Sequence, residues 1–413
     1  MLVQFSVTNF QCIKEKATLD MRSIALSEHK ESLIDNRLLP IAAIYGPNGG
    51  GKSTLLKALF ALKVLISRYF NVVGEMNQIE PVVGVNIVPF KFDSECANMP
   101  TEFEIFVEID EIEYKYYIAI LNNKIVDESL YIRKVGKQRI TEIFTRQGSD
   151  IVLGNSIKSE VKLAGNIADG MPVLSWIGMV YKVEQISKLI NWFMSTFGVD
   201  YNVPFQDELL LSFILQLELE NDARSNKIKE MTLDLLRRMD LNIVSYRAEK
   251  VDVKPNQSAI KITTKHKVGD SSYELDLREE SNGTKKVFGL LPVFVVALAE
   301  GRTVIIDELD AKMHPQLLKF IIELFTNKVT NTKGAQLIFT SHDLTTMTRD
   351  VFRRDEIWFM AMGEKEYSVF YSLIDIRTES GELVRNDAAY NKQYIEGRYG
   401  ADPYLIKIKH WEI

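Results

Sequence analysis

Cysteine is almost missing from this chain: Cys12 and Cys96 are the two in 413 residues, with neither a CxxC spacing nor a Cys/His cluster. That excludes a disulfide framework and a cysteine-built structural zinc site, and it fits a reducing cytoplasm. An excess of positive charge is also lacking. The 50 basic against 56 acidic side chains give a net charge of −6, so no overall positive field draws the protein to nucleic acid. A local patch such as Lys407, Lys409 and His410 is the remaining opening for such contact. The start, Met1-Leu2-Val3-Gln4-Phe5-Ser6-Val7, lacks the basic region and apolar run of an export signal and alternates like a strand, so a cytoplasmic location is expected. The longest apolar stretch, Val287 to Ala299, is short for a bilayer crossing and contains Pro292, so no membrane span is expected. Internal repeats, low-complexity tracts and heptad runs long enough for coiled-coil arms are missing too. What is present is 46% hydrophobic residue, enough for a large core and two or three domains.

Alternation through Val3, Phe5 and Val7, and again at Ala17, Leu19 and Met21, predicts two paired strands. The apolar run Ile41–Tyr45 predicts a buried strand. A glycine loop follows it, and then Leu55, Leu56, Leu59, Phe60 and Leu62 fall at helical spacing. Residues 88–145 read as antiparallel strands, with Phe103, Ile105 and Val107 alternating and Asn122-Asn123 as a turn. From about Ser175 to Asp240 the pattern is helical. The expected division is an N-terminal lobe at 1–150, a mainly helical insertion at 151–250 and a C-terminal lobe at 251–413. Trp176, Trp192 and Phe193 in the insertion read as core.

Gly46-Pro47-Asn48-Gly49-Gly50-Gly51-Lys52-Ser53 fits G-x-x-x-x-G-K-[ST] between a strand and a helix, the context that gives this pattern its meaning. Glycines let backbone N–H groups turn inward around phosphate oxygens at the positive end of a helix. Lys52 then supplies charge for the β- and γ-phosphates, and Ser53 a hydroxyl for Mg²⁺. Asn48, Gly49, Gly50, Gly51 and Thr54 complete the expected ATP-binding set. Thr303-Val304-Ile305-Ile306 ends in Asp307 and Glu308, as a buried parallel strand delivers acids to a sheet edge. Asp307 would hold Mg²⁺, and Glu308 would polarise the attacking water. Adjacent acids after a strand also occur as plain loop-entry residues. Ser281-Asn282-Gly283-Thr284 leads into the apolar run at 287–299, where a second helix start can face an anion. The same four residues also serve as an ordinary helix cap. Gln336–Ser341 is another apolar strand entering His342, which either contacts the γ-phosphate and attacking water or is structural.

In order, Gly46 to Ser53, Ser281 to Thr284, Asp307-Glu308 and His342 resemble the Walker A, signature, Walker B and switch-histidine elements of ABC-type ATPases. Thr8-Asn9-Phe10-Gln11-Cys12 resembles the opening of the SMC, RecF and Rad50-like branch. Pro89-Phe90, Asp307-Glu308-Leu309-Asp310 with Met313-His314-Pro315, and Tyr394 to Gly400 resemble the AAA15 group of OLD-like ATPases. The resemblance implies an α/β fold: an ABC-type P-loop ATPase head with a mixed sheet, an antiparallel β-subdomain and a helical insertion. It also implies ATP and Mg²⁺ as cofactors and a homodimer closed around ATP, or a higher oligomer, with Ser281 and Gly283 acting in trans. A further implication is a nuclease-like effector encoded nearby, in bacterial anti-phage defence. Departures are Gln11, where DNA-repair relatives place an arginine, a signature unlike Leu-Ser-Gly-Gly-Gln, and no clear Q-loop glutamine, Gln78 being nearest. The alternative function is an SMC or RecF-like ATPase that clamps DNA, and a transporter ATPase ranks below both.

Overall fold

The computed structural model describes residues 1–70, 87–163, 167–199, 206–254, 257–363, 366–377 and 381–401. Gln78, Lys407, Lys409 and His410 lie outside the described residues. The chain forms two compact units, Met1–Thr196 with Met347–Ile413, and Phe197–Thr346.

The first unit holds β1 (Leu2–Thr8), β2 (Ala17–Asp20), β3 (Ile41–Tyr45), α1 (Lys52–Ser67), β4 (Thr101–Ile109), β5 (Ile112–Leu121), β6 (Lys124–Lys134), β7 (Ile140–Gln147), β8 (Asp150–Leu153), α2 (Val173–Val180) and α3 (Glu184–Ser195). The second holds β9 (Phe197–Val199), α4 (Gln206–Glu220), α5 (Ala223–Arg238), β10 (Ile243–Lys254), β11 (Gln257–Val268), β12 (Ser271–Asp276), α6 (Asn282–Glu300), β13 (Thr303–Ile306), α7 (Pro315–Thr326) and β14 (Gln336–Thr340). The chain then returns to the first unit with β15 (Ile357–Met362), β16 (Ser368–Ser372) and α8 (Tyr390–Ile395).

In the first unit, the alternating strands build a seven-stranded antiparallel sheet in the order β2-β1-β4-β5-β6-β7-β8. Phe103, Ile105 and Val107 are buried while Glu104 and Phe106 between them are half-buried, the period of two that one covered face imposes. Asn122 and Asn123 both take positive φ, +51° and +61°, as a tight β5–β6 turn demands. Beside this sheet's elements, β3 pairs in parallel with β15, and β16 returns antiparallel to β15. The run Ile41–Tyr45 is buried at every position, which is why its sequence is apolar rather than alternating.

Helices α2 and α3 pack with α1. Ser175 Oγ donates to the Ile66 carbonyl at 2.9 Å. The fully buried Glu128 of β6 accepts from the N–H groups of Val173 (2.7 Å) and Leu174 (3.0 Å) at the start of α2, and from Tyr116 Oη (2.9 Å). Burial outweighs these donors and pushes the Glu128 carboxyl up to about 7.

In the second unit, β13 pairs in parallel with both β9 and β14. Helix α6 is 19 residues long and apolar enough, by length and composition, to cross a membrane. It is a core helix: every residue from Val287 to Leu298 is buried, and each large side chain among them contributes about 1.5–3 kcal/mol. Ser281 caps it by accepting from the Thr284 N–H at 3.1 Å. The stretch 151–250, expected as one mainly helical insertion, carries α2 and α3 in the first unit and α4 and α5 in the second. The three-residue β9 interrupts them, and β10, β11 and β12 form a separate antiparallel sheet that the sequence reading did not anticipate.

Candidate functional site

The glycine loop joins β3 to α1 in the first unit. Its shape is forced by close neighbours. A side chain on Gly46 would put its Cβ 2.0 Å from the Met360 carbonyl oxygen of β15. One on Gly51 would meet Ser368 Oγ at 2.5 Å and Cys12 Sγ at 2.7 Å, at a φ of +97° that already favours glycine. Gly49, at φ +80°, has open space where its side chain would be. Lys52 is buried, and its ammonium donates to the carbonyls of Gly46 (2.7 Å) and Pro47 (3.1 Å). Gly51 is the N-cap of α1 and offers that helix no side-chain cap. Ser53 is half-buried, while Thr54 is buried with its hydroxyl accepting from Cys12 Sγ at 3.1 Å.

An uncapped helix start, left-handed glycines with open space beside one of them, and a buried lysine ammonium resting on the loop's own carbonyls fit a phosphate chain. Among the described residues no group of three or more His, Cys, Asp or Glu could cage a metal.

The second unit carries the other predicted residues. Parallel register sets Ile306 beside Phe339, so the next residues, Asp307 and Thr340, emerge side by side. Thr340 Oγ1 donates to Asp307 Oδ1 at 2.6 Å and accepts from the Glu308 N–H at 2.7 Å. Asp307 is buried and its own N–H donates to Val199 O of β9 at 3.0 Å. Glu308 is half-buried with φ +51°, a left-handed backbone that costs a non-glycine residue about 1–2 kcal/mol. Lys286, in the first turns of α6, donates to the carbonyls of Glu308 (2.6 Å) and Ala311 (3.0 Å). Thus the signature-like helix start and the carboxylate pair are joined by one lysine. Gly283 lies at the same seam, where a Cβ would stand 2.9 Å from the Lys312 carbonyl oxygen. Ser281 is exposed, its hydroxyl 2.8 Å from that of Thr284.

His342 is exposed just past β14, and its backbone N–H donates to Asp310 Oδ2 at 3.1 Å. The other oxygen of Asp310 is buried without a partner among the described residues. His314, given no chemistry from sequence, caps α7: its Nδ1 accepts from the Gln316 N–H at 3.2 Å, with Pro315 at the first helical position. Asp307, Glu308, Asp310 and His342 are therefore brought together within one unit, with Lys286 and Thr340 as members that sequence reasoning missed. Thr340 precedes His342 by two residues on a recognised strand, and that spacing was the available signal. Lys286 had none.

A sequence profile of the AAA_21 family, described as AAA domain, putative AbiEii toxin, type IV TA system, matches residues 41–159 and 205–348. The chain belongs to the AAA_21 family. The matched segments carry both the glycine loop and the carboxylate strand, and membership makes this a P-loop nucleotide-binding protein of AAA type. Among solved structures, this AAA_21 chain is similar to the SMC head domain from Thermotoga maritima, at 14% identity and a TM-score of 0.42, covering 90% of this chain and 98% of that one. It is also similar to an SMC head bound to the C-winged helix domain of ScpA, at 13% identity and a TM-score of 0.45, covering 90% and 97%. No curated protein matches it.

Proposed function

We propose that this chain is an ABC-type ATPase that dimerises around ATP and regulates or scaffolds a nuclease-like effector in bacterial anti-phage defence. The observation that carries its ATPase part is the Thr340 bracket, in which one hydroxyl fixes Asp307 and the Glu308 backbone at a strand end. In this reading Lys52 and the loop amides bind the phosphates. Ser53 and Asp307 would hold Mg²⁺, whose contribution is to neutralise phosphate charge. Glu308 takes the proton of the attacking water, and its left-handed backbone sets the direction of that carboxylate. His342 steadies the γ-phosphate or the water. Ser281 and Gly283 face nucleotide held by a second copy. The family description, which names a putative toxin of a type IV toxin–antitoxin system, supports a place in a conflict system over housekeeping DNA repair.

The test is the ATP hydrolysis rate per subunit as protein concentration rises, with and without duplex DNA, together with Glu308→Gln. A rate that climbs with concentration and ignores DNA supports the reading, as does a Glu308→Gln dimer that persists with ATP-Mg²⁺. A concentration-independent rate and a monomeric Glu308→Gln variant would remove the dimer, and strong stimulation by DNA would replace the effector reading with the DNA-clamp alternative.

A further inference from the structure

Two residues outside the phosphate-loop motif grip it from behind. Cys12 lies in the β1–β2 connection and Ser368 opens β16, and the two are tied by a backbone hydrogen bond from Ser368 N to Cys12 O at 2.8 Å. From this shared base, Ser368 Oγ donates to the Gly50 carbonyl at 2.9 Å, and Cys12 Sγ donates to Thr54 Oγ1 at 3.1 Å. Together they fill the space a Gly51 side chain would need.

The contact to Gly50 has a directional effect. A trans peptide is planar, so its C=O and the following N–H point to opposite sides. The described residues include no cis peptide. Pinning the Gly50 carbonyl onto Ser368 therefore aims the Gly51 N–H away from Ser368. On the helix side, Cys12 Sγ donates to the Thr54 hydroxyl and so ties the first turn of α1 to the same base. We propose that Cys12 and Ser368 form a positioning bracket that presets the Gly50–Gly51 peptide for phosphate, so that the loop binds nucleotide without first reorganising. This rests on the proposed nucleotide site.

Titration of the full chain with a fluorescent ATP analogue in Mg²⁺ tests it. Ser368→Ala should weaken binding roughly 3–10-fold, the loss of one neutral hydrogen bond. Cys12→Ala should weaken it less, Cys12→Ser should restore it, and KM should rise by more than kcat falls. The control is Ser372→Ala, on the same strand, where a buried hydroxyl donates to the Ile357 carbonyl at 3.2 Å. Ser372→Ala should lower thermal stability and leave nucleotide affinity unchanged. If Ser372→Ala weakens binding as much as Ser368→Ala, the effect is general loosening and the bracket is wrong. If Ser368→Ala binds like the unaltered chain while Lys52→Ala does not bind, the bracket fails and the nucleotide site stands. If Lys52→Ala binds as the unaltered chain does, the site itself fails and the bracket with it.

Discussion

Lys286 Nζ lies 2.6 Å from the carbonyl oxygen of Glu308, so a cation in the first turns of α6 holds the backbone of the acid proposed as base. A second bond, to Ala311, spans the turn that follows. Any shift of that helix start is thereby felt at Glu308.

Replacing Lys286 by Met keeps the volume and removes both charge-assisted bonds. Stability measured by urea denaturation should fall by about 1.5–3 kcal/mol. ATP turnover should fall more than ATP affinity, because the glycine loop proposed to hold phosphate belongs to the other unit.

Thr340→Val keeps the branched shape and removes the hydroxyl shared by Asp307 and Glu308. Steady-state kinetics should show turnover lowered roughly 10–100-fold, the usual effect of removing a partner that orients an acting group. Thr340→Ser should recover most of it. Equal rates in the Val and Ser variants would dissociate the hydroxyl from catalysis.

At Glu308 the backbone conformation and the side chain make opposed demands. Glu308→Gly relieves the left-handed strain at φ +51° and should raise unfolding free energy by about 0.5–1 kcal/mol. The same change should abolish hydrolysis. Calorimetry and a phosphate-release assay on one preparation check both halves.

Glu128 gives a pH signature. Its carboxyl is raised by burial from 4.5 to about 7, so its contribution to stability is complete below about pH 4.5 and is lost as pH rises toward 7, where the unfolded chain ionises first. Compared with Glu128→Gln, the unaltered protein should lose about 1 kcal/mol per pH unit between pH 5 and 7. Above that the difference should be constant. Denaturation midpoints of the two proteins across this range would show a flat difference if the carboxyl were ordinary.

The glycine loop, the acid pair and the capped start of α6 were legible in the sequence because each is a local demand. Gly51 must be glycine at φ +97° wherever its neighbours come from, and Ser281 caps by reaching three residues along. The elements that escaped are those whose cause is distant in sequence. Phe197–Val199 is a strand because β13 supplies its partners from about a hundred residues further on, and its own three residues carry no period. Strands β10 to β12 also escaped: Tyr246 and Ala248 are buried on either side of exposed Arg247, but the alternation is short and breaks at Lys250, which is exposed where the next buried residue would fall. Cys12 and Ser368 meet across 356 positions, and neither residue type announces a role.

The pairing of Ala43 with Ile357 also sets a timetable. Strand β3 and the glycines after it leave the ribosome early, yet Met360, which walls the loop, and Ser368, which pins it, are made more than three hundred residues later. At about 5–20 residues per second, the nascent loop waits roughly 15–60 seconds for its wall. Residues 197–346, a single continuous stretch, emerge whole in the meantime. The carboxylate-bearing stretch is therefore made before the surroundings of the glycine loop are finished, and a chain interrupted before residue 357 carries a complete glycine motif with Cys12 against it but neither Met360 nor Ser368.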